Sequence, residues 1–145
     1  MNYERNEANE LLGTGYLIVH VTTAQGAIPL EGAQVNIREY SSEDESGGVQ
    51  IAALISGADG NTELLSLPTK PRSDSLVAGD PKPYATYLAE VRLEGYAEQT
   101  FIGIPIFDGI IAIQPVNLIP LPENGDPTPQ STENNQFFET QGNSL

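Results

Sequence analysis

Short runs of alternating apolar and polar residues recur along this chain, and they restrict its fold more than any other feature. In residues 33–39 (AQVNIRE), Ala33, Val35 and Ile37 share one side while polar side chains occupy the other. An antiparallel β-sheet that packs one face on the core and exposes the other to solvent has this pattern. No segment shows a sustained apolar stripe with a 3.6-residue period, so the sequence predicts an all-β chain with at most one short helix.

Seven such runs, separated by Gly and Pro turns, predict seven strands. They span residues 15–23, 33–39, 49–56, 62–67, 84–93, 97–104 and 110–118. Short strands at this spacing are typical of a seven-stranded antiparallel Greek-key β-sandwich. The run 49–56 is more continuously apolar, which predicts a central strand. Asp59-Gly60 then predicts a tight hairpin turn into the next strand.

Motifs within these runs resemble the carboxypeptidase-regulatory-like family, whose fold is related to that of transthyretin and Cna-B domains. They are the step PLEGAQV at residues 29–35, the turn Asp59-Gly60-Asn61 and the step from Val91 to Tyr96. The resemblance covers residues 14–122. It implies a transthyretin-like (prealbumin-like) sandwich that serves as a spacer or a binding module.

Two finer comparisons within that family narrow the expectation. The closing stretch FDGIIAIQPVNLIPLPE resembles the form of the module found in spore- or peptidoglycan-associated proteins of Gram-positive bacteria. Cna-B domains often form a Lys–Asn isopeptide bond from a Lys on an early strand. Here the only Lys residues, Lys70 and Lys82, lie in a Pro-rich loop, so no such bond is expected.

Polar segments flank the predicted sandwich and divide the chain into three parts. Residues 1–13 form a polar N-terminal arm, residues 14–122 the sandwich, and residues 123–145 a polar C-terminal tail rich in Asn, Gln, Thr and Pro. Such a tail cannot by itself bury enough apolar surface to offset its ordering entropy. Phe137 and Phe138 are its aromatic residues and are candidate binding residues.

The charge of the chain excludes several classes of partner. It has 20 acidic and 6 basic residues, for a net charge of −14. Binding to nucleic acid depends on clustered Lys and Arg, and the basic residues of this chain form no cluster. Association with anionic membranes is disfavoured because the chain is itself strongly negative. The chain has no Cys, which excludes disulfides, thiolate catalysis and Cys-based zinc sites. We expect no nucleic-acid partner and no membrane insertion.

The first residues also bear on localisation. Residues 1–13 are polar and acidic, whereas a secretory signal begins with basic residues and continues with an apolar run. No run of about 18 apolar residues is present that would span a membrane. These features predict a protein made in the cytoplasm. The resemblance to spore-associated proteins implies assembly on a spore surface, and assembly on a virion fits equally well.

The sequence offers no recognised arrangement for catalysis. It contains no nucleophile elbow, phosphate-binding loop or dinucleotide fingerprint. His20, the only His, alternates with apolar residues, which is typical of a structural or surface side chain. Asp59, Asn61 and Glu63 have the alternating oxygen spacing of a calcium loop but lack the rest of that motif, which favours a plain turn. We therefore expect no enzyme activity, no metal and no cofactor.

Two further features are candidate binding surfaces. The loop 68–83 carries Lys70, Arg72 and Lys82, and it is either a recognition loop or a long crossover between sheets. Phe107 opens a Phe-Asp-Gly turn, which is either a plain turn or a binding tip.

These observations favour a non-catalytic structural or assembly module of a multi-subunit particle, such as a spore surface layer, an appendage or a phage-like virion. Its partners are protein subunits of a homo- or hetero-oligomer, contacted through the arms by strand addition to a sheet edge. The alternative is a module that binds carbohydrate or peptidoglycan of the cell wall. The absence of Trp, with only six Tyr and four Phe, weakens that alternative because sugars stack on aromatic rings.

Overall fold

The computed structural model describes residues 11–41, 47–72 and 84–122, and the backbone of residues 130–133. Nine strands follow one another through these segments. They are β1 Gly13–Thr23, β2 Ile28–Pro29, β3 Gln34–Glu39, β4 Gln50–Ile55, β5 Leu65–Thr69, β6 Ala85–Arg92, β7 Gln99–Ile106, β8 Ile111–Asn117 and β9 Gln130–Glu133. They build two sheets that pack face to face.

β1 is the central strand of sheet 1. Its alternating residues Leu17, Val19 and Val21 are fully buried, because period two turns all three toward the same side. β8 pairs with β1 in parallel along one side. β5 and β2 pair with it in antiparallel orientation along the other, at the start and at the end of β1 respectively.

Sheet 2 has the strand order β4-β3-β6-β7-β9. Antiparallel pairing sets Val35 of β3 opposite Val91 of β6, and Ile37 opposite Ala89. All four side chains are fully buried, so the apolar half of each alternating run forms the inner face of the sheet.

The inner faces of the two sheets meet in one apolar core. Its buried members are Leu17, Val19, Val21, Ala33, Val35, Ile37, Leu67, Tyr87, Ala89, Val91, Phe101, Ile104, Ile106, Val116 and Leu118. The all-β sandwich that the sequence predicts is confirmed. Most pairs are antiparallel, and each sheet also contains one parallel pair, β1 with β8 and β7 with β9.

The predicted hairpin at Asp59-Gly60 is wrong, although the turn itself forms. Gly60 donates its N–H to Gly57 O at 2.8 Å. Beyond the turn, Thr62 N donates to Val19 O at 3.0 Å, which carries the chain onto β1 in sheet 1. The strand before the turn, β4, belongs to sheet 2. The turn therefore joins the two sheets and does not close a two-stranded hairpin.

The prediction of a central strand at 49–56 is also wrong. β4 lies at the edge of sheet 2, paired with β3 on one side. Ala52 and Leu54 pack against the core, whereas Ile55 is 59% exposed on the outer face. A continuous apolar run here reflects an apolar outer face, and not burial on both faces.

Two strand ends differ from the prediction as well. β7 runs through Pro105 to Ile106, because the fixed φ of Pro suits an extended strand. β5 begins at Leu65 and includes Pro68 and Thr69, which the sequence had assigned to a loop. The shift matters for function because it brings the first basic residue of that loop directly to the end of β5.

Buried polar side chains tie the sheets together. Thr69 of β5, fully buried, donates its hydroxyl to Ile106 O of β7 at 2.5 Å and accepts the N–H of Ala85 at 2.9 Å. Gln99 of β7 donates its Nε2 to Asn117 O of β8 at 2.7 Å. Each bond satisfies backbone groups that burial would otherwise leave unpaired.

Candidate functional site

One end of the sandwich gathers the start of β1, the end of β5 and the turn between β7 and β8. Asp108 in that turn holds all three. Its Oδ1 accepts the N–H of Thr14 at 3.1 Å, and its Oδ2 accepts the N–H of Arg72 at 2.7 Å. Gly109 donates its own N–H to Thr14 O at 2.8 Å. We call this end the tip, formed by Thr14, Lys70, Arg72, Tyr84, Phe107, Asp108 and Gly109.

Two glycines allow the strands to approach this closely at the tip. A Cβ atom on Gly13 would lie 2.8 Å from Lys70 O and 2.9 Å from the carboxyl carbon of Asp108. A Cβ atom on Gly109, which has a positive φ of 77°, would lie 2.5 Å from Nη2 of Arg72. The Arg72 guanidinium therefore lies directly above the turn.

An aromatic pair forms the other part of the tip. The rings of Tyr84 and Phe107 are 5.0 Å apart between centroids and inclined at 58°. This tilted arrangement is one that aromatic pairs favour. Phe107 remains 40% exposed, so an apolar ring faces solvent at the tip.

The tip brings together three of the residues that the sequence singled out. Lys70, Arg72 and Phe107 come from two separate turns and lie at one end of the sandwich. Lys82 lies outside the described residues.

Phe137 and Phe138 also fall outside the described part of the chain. Sequence reasoning missed Tyr84 and the role of Asp108, whose carboxylate links β1 to the segment after β5. The Phe-Asp-Gly turn could have indicated the role of Asp108, because Asp readily accepts backbone N–H groups in turns.

A second polar cluster lies at the turn that joins the sheets. His20 Nδ1 is 2.7 Å from Asn61 Oδ1, and Asp59 Oδ1 accepts the N–H of Asn61 at 2.9 Å. These contacts attach the turn to β1. Within residues 11–41, 47–72 and 84–122, no three His, Asp or Glu side chains are grouped so that they could hold a metal ion. The described residues also include no helix long and apolar enough to cross a membrane.

The two hydrogen bonds that the Asp108 carboxylate accepts predict a loss of stability in acid. Hydrogen bonds from the N–H groups of Arg72 and Thr14, together with the Arg72 charge, lower the pKa of Asp108 below its usual 3.8. A lowered pKa in the folded state means that this stabilisation is present above pH 3.8 and is lost as the pH falls through the folded-state pKa. Unfolding curves across this range should show the loss.

Asp108→Asn is the matched variant for that titration. It should be less stable than the parent at neutral pH, and its stability should depend less on pH in the acid range. Hydrogen bonds from Asn61 lower the pKa of Asp59 as well, so the difference between the two curves isolates Asp108. If the unfolding free energies of parent and variant changed equally with pH, the Asp108 carboxylate would not stabilise the fold.

The buried side chain of Tyr87 predicts a loss of stability at alkaline pH. Tyr87 of β6 donates its hydroxyl to Pro68 O of β5, across the sheets. Burial, and then the negative charge of Glu39, raise the pKa of Tyr87 to about 12 from the usual 10.0. The proton is held more tightly in the folded state, so stability is full below pH 10 and declines as the pH rises toward 12.

Tyr87→Phe tests this arrangement. The variant should lose about 1 kcal/mol of unfolding free energy at neutral pH, because the Pro68 carbonyl loses its donor. It should also lose the alkaline decline, measured as unfolding free energy against pH. A variant as stable as the parent at neutral pH, with an unchanged alkaline decline, would show that the bond contributes nothing.

Comparison with known proteins shows the fold. No family model matches the chain, and no curated protein matches it. Catechol 1,2-dioxygenase of Acinetobacter radioresistens is similar in structure, with a TM-score of 0.51 at 14% identity over 87% of this chain and 59% of that one. At this identity the likeness shows a shared β-sandwich fold alone.

Two further solved structures are similar over part of their length. The minor pilin GBS52 of Streptococcus agalactiae has a TM-score of 0.49 at 14% identity, over 81% of this chain and 49% of the pilin. The TIE protein of Bacillus anthracis has a TM-score of 0.47 at 15% identity, over 75% of this chain and 17% of that protein. This chain thus spans less than two thirds of each of the three structures.

Proposed function

We propose that this chain is a non-catalytic assembly module of the carboxypeptidase-regulatory-like type, built into a multi-subunit particle such as a spore surface layer, an appendage or a virion. Its neighbours are protein subunits, and its contacts with them are made by strand addition at the edges of the sandwich. The observation that carries the proposal is β9.

β9 is a segment of the polar tail that adds a strand to sheet 2. Residues Gln130–Glu133 pair in parallel with β7, with Gln130 opposite Gln99 and Glu133 opposite Ile102. Strand addition of this kind relies on backbone hydrogen bonds and needs no apolar side chains. A polar tail that can pair with a sheet edge of its own chain has the backbone chemistry to pair with the same edge of a neighbour.

Mass measurements on the full chain test the proposal. Light scattering coupled to size exclusion should show species heavier than the 15.6 kDa chain, in proportions that increase with concentration. The double substitution Ser131→Pro/Thr132→Pro removes the N–H groups of two adjacent β9 residues and should change this distribution. A strict monomer at every concentration, for parent and variant alike, would overturn the proposal.

The aromatic pair at the tip supports a second candidate function, recognition of a cell-wall glycan. Phe107 presents an exposed ring next to Tyr84 and close to Arg72, and sugar rings stack on such faces. In a pull-down on purified peptidoglycan, Phe107→Ala should bind less than the parent, while Leu64→Ala, a change at another exposed apolar residue, should not. Failure of the parent to bind at low salt would eliminate this candidate.

A further inference from the structure

The edges of the two sheets are protected unequally. Among the described strands of sheet 1, each outer strand contains a proline: Pro29 in β2, Pro68 in β5 and Pro115 in β8. In sheet 2, β7 is covered by β9, which contains the charged Glu133. Proline and charge are the usual means by which edge strands avoid pairing with other chains.

Among the described strands, β4 is the exception with respect to proline and charge, although its pairing with β3 shifts register at Ile51, near the start of the strand. Residues 49–56 (VQIAALIS) contain no proline and no charged residue, in a chain whose net charge is −14. Ile51 is 37% exposed and Ile55 is 59% exposed, and no described strand pairs with the outer side of β4. An edge of this kind is free to pair unless a partner covers it.

The hydrogen bonds to β3 show which groups of β4 point outward. Ser56 donates its N–H to Ala33 O at 3.0 Å, toward β3. Backbone groups alternate in direction along an antiparallel strand, so those of Leu54 and Ala52 also point toward β3. The N–H and C=O groups of Ala53 and Ile55 therefore point away from the sheet. The pairing with β3 shifts by one residue at Ile51, so the alternation is not carried past Ala52. We call residues 51–55 the β4 edge.

The sequence of β4 is nearly symmetric about Ala53. Ile51 and Ile55 stand two residues away on either side, and the apolar Ala52 and Leu54 stand one residue away. If two copies pair in antiparallel orientation about Ala53, Ile51 of one faces Ile55 of the other, and Ala53 faces Ala53. The outward N–H and C=O groups of the two Ala53 residues then meet each other in register.

We propose that the β4 edge pairs with the β4 edge of a second copy of this chain, about a two-fold axis at Ala53, to make one continuous sheet across the dimer. The proposal rests on the proposed assembly function and names one partner and one surface for it. Two chains of net charge −14 repel each other, and the uncharged β4 edge is a contact that adds no further local repulsion. A two-fold contact also closes, which limits the pairing to a dimer.

Amide hydrogen exchange followed by NMR tests the geometry. The N–H group of Ala53 should be exchange-labile in dilute solution and become protected as concentration rises. The N–H groups of Ala52 and Leu54 should be protected throughout, because β3 accepts them. Equal, concentration-independent exchange across β4 would overturn the pairing.

Ile55→Lys and Ile113→Lys form a matched pair of variants. The two isoleucines are 59% and 56% exposed, on strands of different sheets, and each change alters the charge of the chain equally. Ile55→Lys should weaken dimerisation about tenfold, because two isoleucine pairs are lost across the axis. Ile113→Lys should dimerise like the parent.

These outcomes separate the two proposals. If the parent associates and Ile55→Lys associates equally well, the β4 pairing is wrong, while assembly through the tail remains. If the parent is monomeric at every concentration, the assembly function fails and the pairing fails with it. Loss of association in Ile55→Lys alone supports both proposals.

Discussion

Gly60→Ala is expected to destabilise the fold by about 3 kcal/mol or more, through strain and steric overlap at one position. Gly60 has a φ of 84°, a conformation that favours glycine. A Cβ atom there would lie 2.5 Å from Val21 O, a backbone atom of the central strand. Neither the turn nor β1 can relax easily, because Val21 donates its N–H to Gly60 O at 2.7 Å.

Gly57→Ala, in the same turn, is the matched control. A Cβ atom on Gly57 meets Asn61 O and Asp59 Oδ1 at 3.6 Å, which is ordinary contact. This variant should stay within about 1 kcal/mol of the parent in chemical denaturation. Equal stability of the two variants would show that the close approach of the turn to β1 is not part of the native structure.

Leu17→Ala is expected to cost about 2–5 kcal/mol, the range for a large-to-small change in a packed core. Leu17 is fully buried in β1, and β1 pairs there with Leu65 on one side and Ala112 on the other. Because β1 is hydrogen-bonded to a strand on each side, the core has little freedom to collapse into the cavity that the truncation leaves.

Leu64→Ala controls for the residue type. Leu64 is 49% exposed, so its truncation should change the free energy of unfolding by less than about 0.5 kcal/mol. Denaturant midpoints of parent and variants compare the two directly. A small effect at Leu17 would contradict a sandwich core centred on β1.

The inner faces of the sandwich were predictable from the sequence. Period two alone assigns Val35 and Ile37 of β3 to the buried side, and likewise Ala89 and Val91 of β6, and all are fully buried. The reason is physical: successive side chains of a strand point to opposite faces, so a strand with one buried face must alternate.

The assignment of strands to sheets was not predictable in the same way. Asp59-Gly60 correctly indicates a turn, but turn residues do not say which sheet the next strand joins. That choice depends on Thr62, whose Oγ1 accepts the N–H of Val19 at 3.0 Å, a contact between distant parts of the chain. The apolar run of β4 likewise does not tell an edge strand with an apolar outer face from a central one.

The sequence indicated several of the residues of the tip, but not that they come together in space. Lys70, Arg72 and Phe107 stood out as basic and aromatic residues in loops. What brings Arg72 and Phe107 to one place is the pairing of β5 with β1, together with the Asp108 carboxylate, which accepts the N–H groups of Thr14 and Arg72. Tyr84 carried no signal of its own, because its role depends on Phe107 lying 5.0 Å away.

Sedimentation velocity of the full chain over a wide range of concentration tests the central claim, that this sandwich is a unit of assembly, most directly. The account predicts a sedimentation coefficient that rises with concentration, from that of a 15.6 kDa monomer toward a dimer and larger species. A single monomeric boundary at every concentration would contradict it.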